Sequence, residues 1–270
     1  MLPLKELGDE LFFSRPAQEG IFLKARLTGN LKNRSPDYPL PAPRKNLIWK
    51  AASLFYKTIH KTPRIAITLH KSVPFGAGLG SGSSNAAYTL MTLNQMHGSP
   101  LSQKRLLPLA AALGSDVPFF LARGAALVEG EGDKITPVSF PFNPWFLIIN
   151  PSFQISTRWA YETWDKRGPK RRVSLTKKKK DDRKDGFFAT VRSWMAVKQM
   201  CVNDFGTIIF PAYPMLQEAR HKLYAFGAQV ASLSGSGPTL FGAFKRKTAA
   251  QRAARFFDQN HWLTWITQGV

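Results

Sequence analysis

Residues Pro74 to Ala87 are the most informative segment of the chain, and they read Pro-Phe-Gly-Ala-Gly-Leu-Gly-Ser-Gly-Ser-Ser-Asn-Ala-Ala. Glycines alternate along this segment, so the backbone can adopt positive φ angles and approach a ligand closely. The amides of such a turn can point into one concavity and bind an anion. The apolar spacing that follows predicts a helix from Ser83 to His97, whose free N–H groups and partial positive charge add to the attraction. The segment therefore predicts a phosphate-binding loop ahead of a helix.

Two common phosphate-binding motifs do not fit this loop. The P-loop motif ends in Lys-Ser or Lys-Thr, and no lysine closes the turn here. The dinucleotide-binding motif needs a glycine at the position of Ser83 and an acidic residue on a strand about 20 residues later, and the chain has neither. On glycine content alone, a plain tight turn remains an equally good interpretation.

Strand and helix patterns lie on both sides of the loop and predict an α+β fold. Strands are predicted over Ile21–Leu27, Ile65–Lys71, Ala125–Val128, Trp145–Ile149, Gln229–Leu233, Thr239–Phe244 and Trp262–Ile266. Helices are predicted over Asn46–His60, Ser83–His97, Ser102–Leu113, Thr157–Asp165, Phe187–Met200, Pro214–Phe226 and Thr248–Phe257. A second glycine-serine turn, Ser234–Pro238, joins two late strands. The Asn150-Pro151 pair predicts a domain boundary, which gives domains at residues 1–149 and 150–270.

The chain carries a strong and uneven positive charge. Its formal net charge is +21, and residues 166–184 alone contain eleven cations against two acids. Such an excess favours polyanionic partners, such as nucleic acid, an anionic membrane or phosphorylated small molecules. No aromatic residue lies among these cations, so the run is more typical of a solvated loop than of a base-stacking surface. Nucleic-acid binding is thereby disfavoured.

Composition excludes several other classes of protein. No apolar run approaches the roughly 20 residues that cross a bilayer, and acids at Glu6, Asp9 and Glu10 do not fit a secretory signal. The single cysteine, Cys201, excludes an internal disulfide and a cysteine-cluster metal site, and the five histidines lack metal-ligand spacing. These features predict a cytoplasmic protein that does not associate with membranes.

The whole string from Pro74 to Ala87 resembles the second signature of the GHMP kinases, the family of galacto-, homoserine, mevalonate and phosphomevalonate kinases, whose members usually carry glycine at the position of Ser81. Further segments resemble the same family in the same order, namely Asn46–Ala52, Leu113–Phe120, Gly130–Asp133, Asn203–Phe205 and Leu233–Gly242. The resemblance covers most of residues 1–245. It implies two lobes with the nucleotide between them, a ribosomal-protein-like first lobe and a ferredoxin-like second lobe.

The resemblance implies an enzyme that transfers the γ-phosphoryl group of ATP to an alcohol, with Mg²⁺. The form of the motifs is similar to that of members acting on the 2-hydroxyl of a cytidine-diphosphate-linked methylerythritol, in non-mevalonate isoprenoid biosynthesis. Two alternatives remain open. One is a kinase of the same family that acts on a different alcohol, and the other is a basic nucleic-acid-binding protein that uses residues 166–184. The sequence does not predict the oligomeric state.

The resemblance also implies roles for residues on the nucleotide side. Asp116 would take or orient the proton of the attacking hydroxyl, whereas an arbitrary Gly-x-Asp segment would only stabilise a turn. Asn46 and Lys71 would contact the adenine. Without the resemblance, Asn46 is a helix N-cap and Lys71 is a surface lysine. The triphosphate loop would comprise Pro74, Phe75, Gly76, Ala77, Gly78, Leu79, Gly80, Ser81, Gly82, Ser83 and Ser84, with the hydroxyl of Ser84 as a candidate Mg²⁺ ligand.

Residues on the alcohol side come from the second domain. Gly235, Ser236 and Gly237 would present amides to the substrate phosphates or brace the first loop, although a plain strand-to-strand turn explains the same residues. Tyr161 would stack on the cytosine, with Thr157 nearby. A position on the core face of its helix is the alternative for Tyr161.

One part of the family pattern has no match in the chain. The family begins with a Pro-Ala-Lys-Ile-Asn-like strand, whose lysine partners the catalytic aspartate, and with an Asp-Gly-Tyr-His-like segment that grips the cytidine. The chain opens with Leu4–Phe12, which matches what normally follows that signature. Three interpretations are open: a start codon assigned too late, a truncated inactive form, and a non-catalytic descendant that still binds nucleotide.

Overall fold

A computed structural model describes residues 1–34, 40–122, 124–138, 142–167 and 193–269. The chain divides into two units. The first unit comprises Met1–Pro3, Leu7–Phe75 and Gly80–Val138, and the second comprises Leu4–Glu6, Gly76–Leu79 and Ser139–Val270. In the described part of the chain, every helix is too short or too polar to cross a membrane.

The sheet of the first unit has three strands, β1 (Glu10–Ser14), β2 (Gly20–Leu27) and β3 (Arg64–Lys71), in the order β1-β3-β2. β1 runs antiparallel to β3, and β2 runs parallel to it. A parallel pair needs a crossover connection, and here it contains α1 (Gly29–Arg34) and α2 (Leu47–Thr58). The unit is completed by α3 (Ser81–Met96), α4 (Gln103–Leu113) and the hairpin of β4 (Ala126–Glu129) and β5 (Lys134–Pro137).

The core of the first unit lies between β3 and two helices. Ile65, Ile67 and Leu69 of β3 are buried, as their alternation predicts. The helices α2 and α3 pack on this face through a shared set of buried side chains: Ile48, Ala51, Ala52, Phe55, Ala86, Ala87, Leu90 and Leu93. Alanines on both helices let their backbones approach closely, which anchors the start of α3 in the core.

The second unit is built on a four-stranded antiparallel sheet. Its elements are β6 (Trp145–Asn150), α5 (Thr157–Arg167), α6 (Trp194–Met200), α7 (Gly206–Ala212), α8 (Pro214–Ala225), β7 (Val230–Leu233), β8 (Leu240–Phe244), α9 (Lys247–Gln259) and β9 (Leu263–Gln268). The strand order is β7-β8-β6-β9, which is that of a ferredoxin-like fold. The predicted architecture of the second lobe is confirmed.

The structure departs from the sequence-based expectations in a few places. β6 pairs with β8 and β9 of the second unit, so a boundary at Asn150-Pro151 would cut this strand away from its own sheet. The helix α3 begins at Ser81 rather than at Ser83. β1, β5, α1 and α7 were not predicted; in β1, three consecutive apolar residues hide the alternation. Within the predicted helix Phe187–Met200, residues 187–192 lie outside the described residues, as does most of the basic run.

Ser152, which follows β6, occupies an unfavourable backbone conformation. Its φ is 65°, and its buried hydroxyl has no hydrogen-bond partner within the described part of the chain. We expect Ser152→Gly to raise the free energy of unfolding by about 1 kcal/mol, after allowing for the greater unfolded-state freedom of glycine. Urea denaturation measures this change. Ser152→Ala removes only the hydroxyl and should gain less, and a lower unfolding free energy in Ser152→Gly would contradict the prediction.

Candidate active site

The loop between β3 and α3 offers a row of unpaired amides. Gly76, Gly78 and Gly80 have φ angles of 65°, 80° and 67°, which explains why glycine recurs at alternate positions. Within the described residues, the amides at positions 76–83 donate to no acceptor. The first N–H groups of α3 are among them, because a helix leaves its first turn of donors unpaired. This arrangement suits a phosphate group.

The second glycine-serine turn braces the loop inside the second unit. A Cβ atom at Gly78 would lie 1.9 Å from the carbonyl oxygen of Ser234, and one at Gly237 would lie 2.4 Å from the carbonyl carbon of Ala77. The Ser234 hydroxyl donates a hydrogen bond of 2.8 Å to the carbonyl oxygen of Gly78. Of the two roles expected for this turn, bracing the loop therefore has direct contacts in the structure.

Asp116 lies in a pocket of the first unit. Asp116 is exposed, and the pocket has a volume of about 630 Å³. Met1, Ala111, Ser115, Val128, Gly130, Glu131 and Gly132 complete the lining. The turn between β4 and β5 packs directly on the segment that carries Asp116, because a Cβ atom at Gly132 would lie 1.8 Å from the carbonyl oxygen of Ser115.

The segment after Asp116 ties it to the start of α3. A short 3-10 helix, Pro118–Leu121, follows directly after Val117, and both Val117 and Phe119, which lies within this helix, are buried. A Cβ atom at Gly80 would lie 3.1 Å from the ring of Phe120. The same short segment therefore carries the candidate catalytic carboxylate and contacts the glycine at which α3 begins.

Lys71 is fully buried, so its interpretation as a surface lysine is wrong. Its Nζ donates hydrogen bonds of 2.5 Å to Asp9 Oδ2 and 2.9 Å to Ser81 Oγ, and it lies 4.3 Å from the ring centre of Phe75. Burial lowers the pKa of Lys71, and the charge and hydrogen bond of Asp9 act in the opposite direction. Contact of Lys71 with adenine remains a prediction.

Sequence reasoning missed Asp9, although one signal pointed towards it. Lys71 continues the inward alternation of Ile65, Ile67 and Leu69 along β3. A lysine at an inward position needs a buried carboxylate, because an unpaired charge in a protein interior is very costly. The pattern could thus have predicted that a buried acid exists, but not that Asp9 supplies it.

Asn46 caps α2, which confirms its interpretation from the sequence alone. Its Oδ1 accepts a hydrogen bond of 3.0 Å from the amide of Ile48, and the residue is buried. Its Nδ2 group makes no hydrogen bond to any other described residue, which leaves two donors for a ligand. Contact of Asn46 with adenine remains a prediction.

The residues expected to bind the alcohol substrate all lie in the second unit. Tyr161 is 55% exposed, so the core position considered for it is wrong, and the edge of Phe205 supports its ring at a centroid distance of 4.9 Å. The Ser236 hydroxyl donates to Thr157 Oγ1 at 3.3 Å. Asn203, which the sequence did not assign to the site, donates from Nδ2 to the carbonyl oxygens of Leu233 and Gly235 at 3.1 and 2.8 Å.

Comparisons with known proteins match both units. The family model for the GHMP kinases N terminal domain matches residues 46–124, and the model for GHMP kinases C terminal matches residues 193–262. The relatives include proteins that carry the name 4-diphosphocytidyl-2-C-methyl-D-erythritol kinase. The protein from Geobacter sulfurreducens is 36% identical over 217 residues, which are 80% of this chain and 74% of the relative. The protein from Lawsonia intracellularis is 35% identical over an alignment that covers 98% of this chain and 85% of the relative.

Comparison with solved structures also finds kinases with a similar fold. A crystal structure of 4-(cytidine 5'-diphospho)-2C-methyl-D-erythritol kinase has a TM-score of 0.72 at 26% identity, and the match covers 99% of this chain and 88% of that one. The homoserine kinase from Cytophaga hutchinsonii has a TM-score of 0.68 at 21% identity, with 100% and 88% covered. The second likeness concerns the fold alone.

Proposed function

The chain belongs to the GHMP kinases, and we propose that it transfers the γ-phosphoryl group of ATP to the 2-hydroxyl of 4-diphosphocytidyl-2-C-methyl-D-erythritol. One observation carries the choice of substrate. Relatives with this activity in their name are about a third identical to the chain over most of the length of both proteins. The free amides of the loop and the exposed carboxylate of Asp116 supply what such a reaction needs.

The loop is the proposed site for the triphosphate. Its amides at positions 76–83 are free for phosphate oxygens within the described chain, and those at positions 81–83 carry the positive end of the α3 dipole. The glycines let the backbone follow the phosphates, and the Ser234 contact holds Gly78 in place. The fixed amides stabilise negative charge without reorganising during the reaction.

Asp116 is the proposed general base. Its carboxylate takes the proton of the 2-hydroxyl as the hydroxyl oxygen forms a bond to the γ-phosphorus, and the bond from phosphorus to the bridging oxygen of ADP breaks. The exposed position of Asp116 in a pocket supports this role, because a substrate hydroxyl has to reach the base. Catalysis of this kind depends mainly on positioning and on neutralisation of charge.

Mg²⁺ would accompany ATP and neutralise charge on the β- and γ-phosphates. No three His, Cys, Asp or Glu side chains cluster as a metal site in the part of the chain that the structure describes. This fits a Mg²⁺ ion that is held mainly by phosphates and water, with few protein ligands. The Ser84 hydroxyl, in the first turn of α3, is the protein ligand that we propose.

Tyr161 is the proposed stacking partner of the cytosine. Loss of one base–aromatic stack costs about 1–3 kcal/mol, so Tyr161→Ala should raise KM for the cytidine substrate by about fivefold or more, with kcat nearly unchanged. Tyr161→Phe keeps the ring and should behave like the wild type. Phe12→Ala removes a ring of similar exposure, one that packs on His70, and is the matched control. Equal KM values for Tyr161→Ala and the wild type would contradict the stacking role.

A substrate panel tests the proposed function directly. The chain is incubated with Mg²⁺-ATP and either 4-diphosphocytidyl-2-C-methyl-D-erythritol, homoserine or mevalonate, and release of ADP is measured. We expect turnover with the cytidine compound and little with the other two alcohols. Faster turnover of homoserine or mevalonate would overturn the choice of substrate, and no turnover of any alcohol would overturn the proposed activity of this chain.

A further inference from the structure

We propose that Asp9 is a positioning residue for ATP, because its buried carboxylate fastens both ends of the phosphate loop. The inference rests on the proposed function, since it concerns the same loop. Asp9 is not among the site residues predicted from the sequence, and it does not line the pocket of Asp116. Its proposed action on the reaction is therefore indirect, through the shape of the loop.

The Asp9 carboxylate accepts four hydrogen bonds. Its Oδ1 accepts from the backbone amides of Ser72 and Val73 at 2.9 and 3.1 Å. Its Oδ2 accepts from Lys71 Nζ at 2.5 Å and from Asn85 Nδ2 at 2.8 Å. A carboxylate has about four acceptor positions, so this one is fully used. The side chains of Asp9 and Lys71 are both 0% exposed.

The four donors lie on opposite sides of the loop. Ser72 and Val73 come directly before it, and Asn85 belongs to the helix α3 that follows it. Lys71, which precedes the loop, is also connected to the helix that follows it, because its Nζ donates a hydrogen bond to Ser81, the first residue of α3. One carboxylate from the segment before β1 therefore fixes the start and the end of the loop in the first unit. Fixing both ends lowers the cost of ordering the loop amides around a triphosphate.

If Asp9 only stabilised the fold, its replacement would weaken ATP binding only where the protein unfolds. A buried ion pair is weak evidence of stabilisation, because desolvation offsets much of the attraction between the charges. The Asp9 network instead fixes the geometry of the loop, because each of its hydrogen bonds comes from a particular donor before or after the loop. We therefore expect the affinity for ATP to depend on Asp9 even at temperatures where a variant is fully folded.

The test compares Asp9→Asn with the wild type well below the unfolding temperature of each. Asparagine keeps the size of the side chain, but its single oxygen can accept either from Ser72 and Val73 or from Lys71 and Asn85. The Nδ2 group at the other position only donates, so it faces donors there. We expect Kd and KM for ATP to rise about tenfold, which corresponds to about 1.4 kcal/mol, while kcat at saturating ATP and KM for the alcohol stay close to wild type. Glu10→Gln removes the same charge from the next residue, an exposed side chain paired with His70, and should leave KM for ATP unchanged.

A second variant covers the case in which Asp9→Asn does not fold. Asn85→Leu keeps the branched shape of the side chain and removes one hydrogen bond on the α3 side, and it should raise KM for ATP in the same direction by a smaller factor. Wild-type KM for ATP in folded Asp9→Asn, or in Asn85→Leu where the first variant does not fold, would overturn the role of Asp9 alone. A wild-type chain that does not bind ATP would overturn the proposed function together with this inference.

Discussion

Asp116→Asn should lower kcat by about 10²- to 10⁴-fold, the usual contribution of a general base, while KM for ATP and for the alcohol changes little. Asparagine has the shape of aspartate but cannot take a proton from the attacking hydroxyl. The loop amides at positions 76–83 and the ring of Tyr161 are unaffected, so both substrates should still bind. Steady-state kinetics with each substrate varied in turn separates the two effects.

Glu129→Gln is the matched control for Asp116→Asn. Glu129 is exposed at the end of β4 in the same unit, and it does not line the pocket. Its replacement removes one negative charge without touching the proposed base. Equal losses of kcat in the two variants would attribute the effect to overall charge, and a kcat of Asp116→Asn close to wild type would remove Asp116 from the mechanism.

The phosphate loop could be predicted because its requirements are local. Positive φ angles at Gly76, Gly78 and Gly80 call for glycine regardless of what lies nearby. The helix after the loop and the buried alternation of β3 are likewise readable from short windows of sequence. These features predicted a glycine turn between a half-buried strand and a helix before any tertiary contact was known, and the structure has this arrangement.

The partners of the loop could not be predicted because they are distant in sequence. Asp9 and Lys71 are 62 positions apart, and no local pattern links a particular acid to a particular buried lysine. The contact between Gly78 and Ser234 spans 156 positions. The repetition of glycine and serine in both turns indicated that the second turn mattered, but only the fold shows that their backbones touch.

The exposure of Tyr161 could not be predicted because the helix that carries it has no single apolar face. The helix α5 also carries Trp159 and Trp164, so aromatic residues occupy more than one of its faces. Its only fully buried residue in the described structure is Ala160. Because apolar spacing identifies a buried face only when the other faces are polar, the sequence left both interpretations of Tyr161 open.

Gly78→Ala should cause the largest loss of ATP binding among substitutions in the loop. Its Cβ atom would lie 1.9 Å from the carbonyl oxygen of Ser234, and this contact is with backbone that cannot rotate away. The φ of 80° adds the strain that L-residues have in the left-handed region. Together these effects cost about 2–5 kcal/mol, so Kd for ATP should rise by about 30-fold or more. Titration calorimetry measures the affinity, and thermal unfolding measures the loss of stability.

Gly76→Ala separates the two causes. Gly76 has a φ of 65°, so alanine meets the same kind of backbone strain there, but a Cβ atom at Gly76 would have no heavy atom within 4 Å. The strain alone should cost about 1–2 kcal/mol, and the remaining loss in Gly78→Ala then measures the close packing of the loop on Ser234. If the two variants lost the same affinity, backbone strain would explain the whole effect, and the second glycine-serine turn would have no part in holding the loop for ATP.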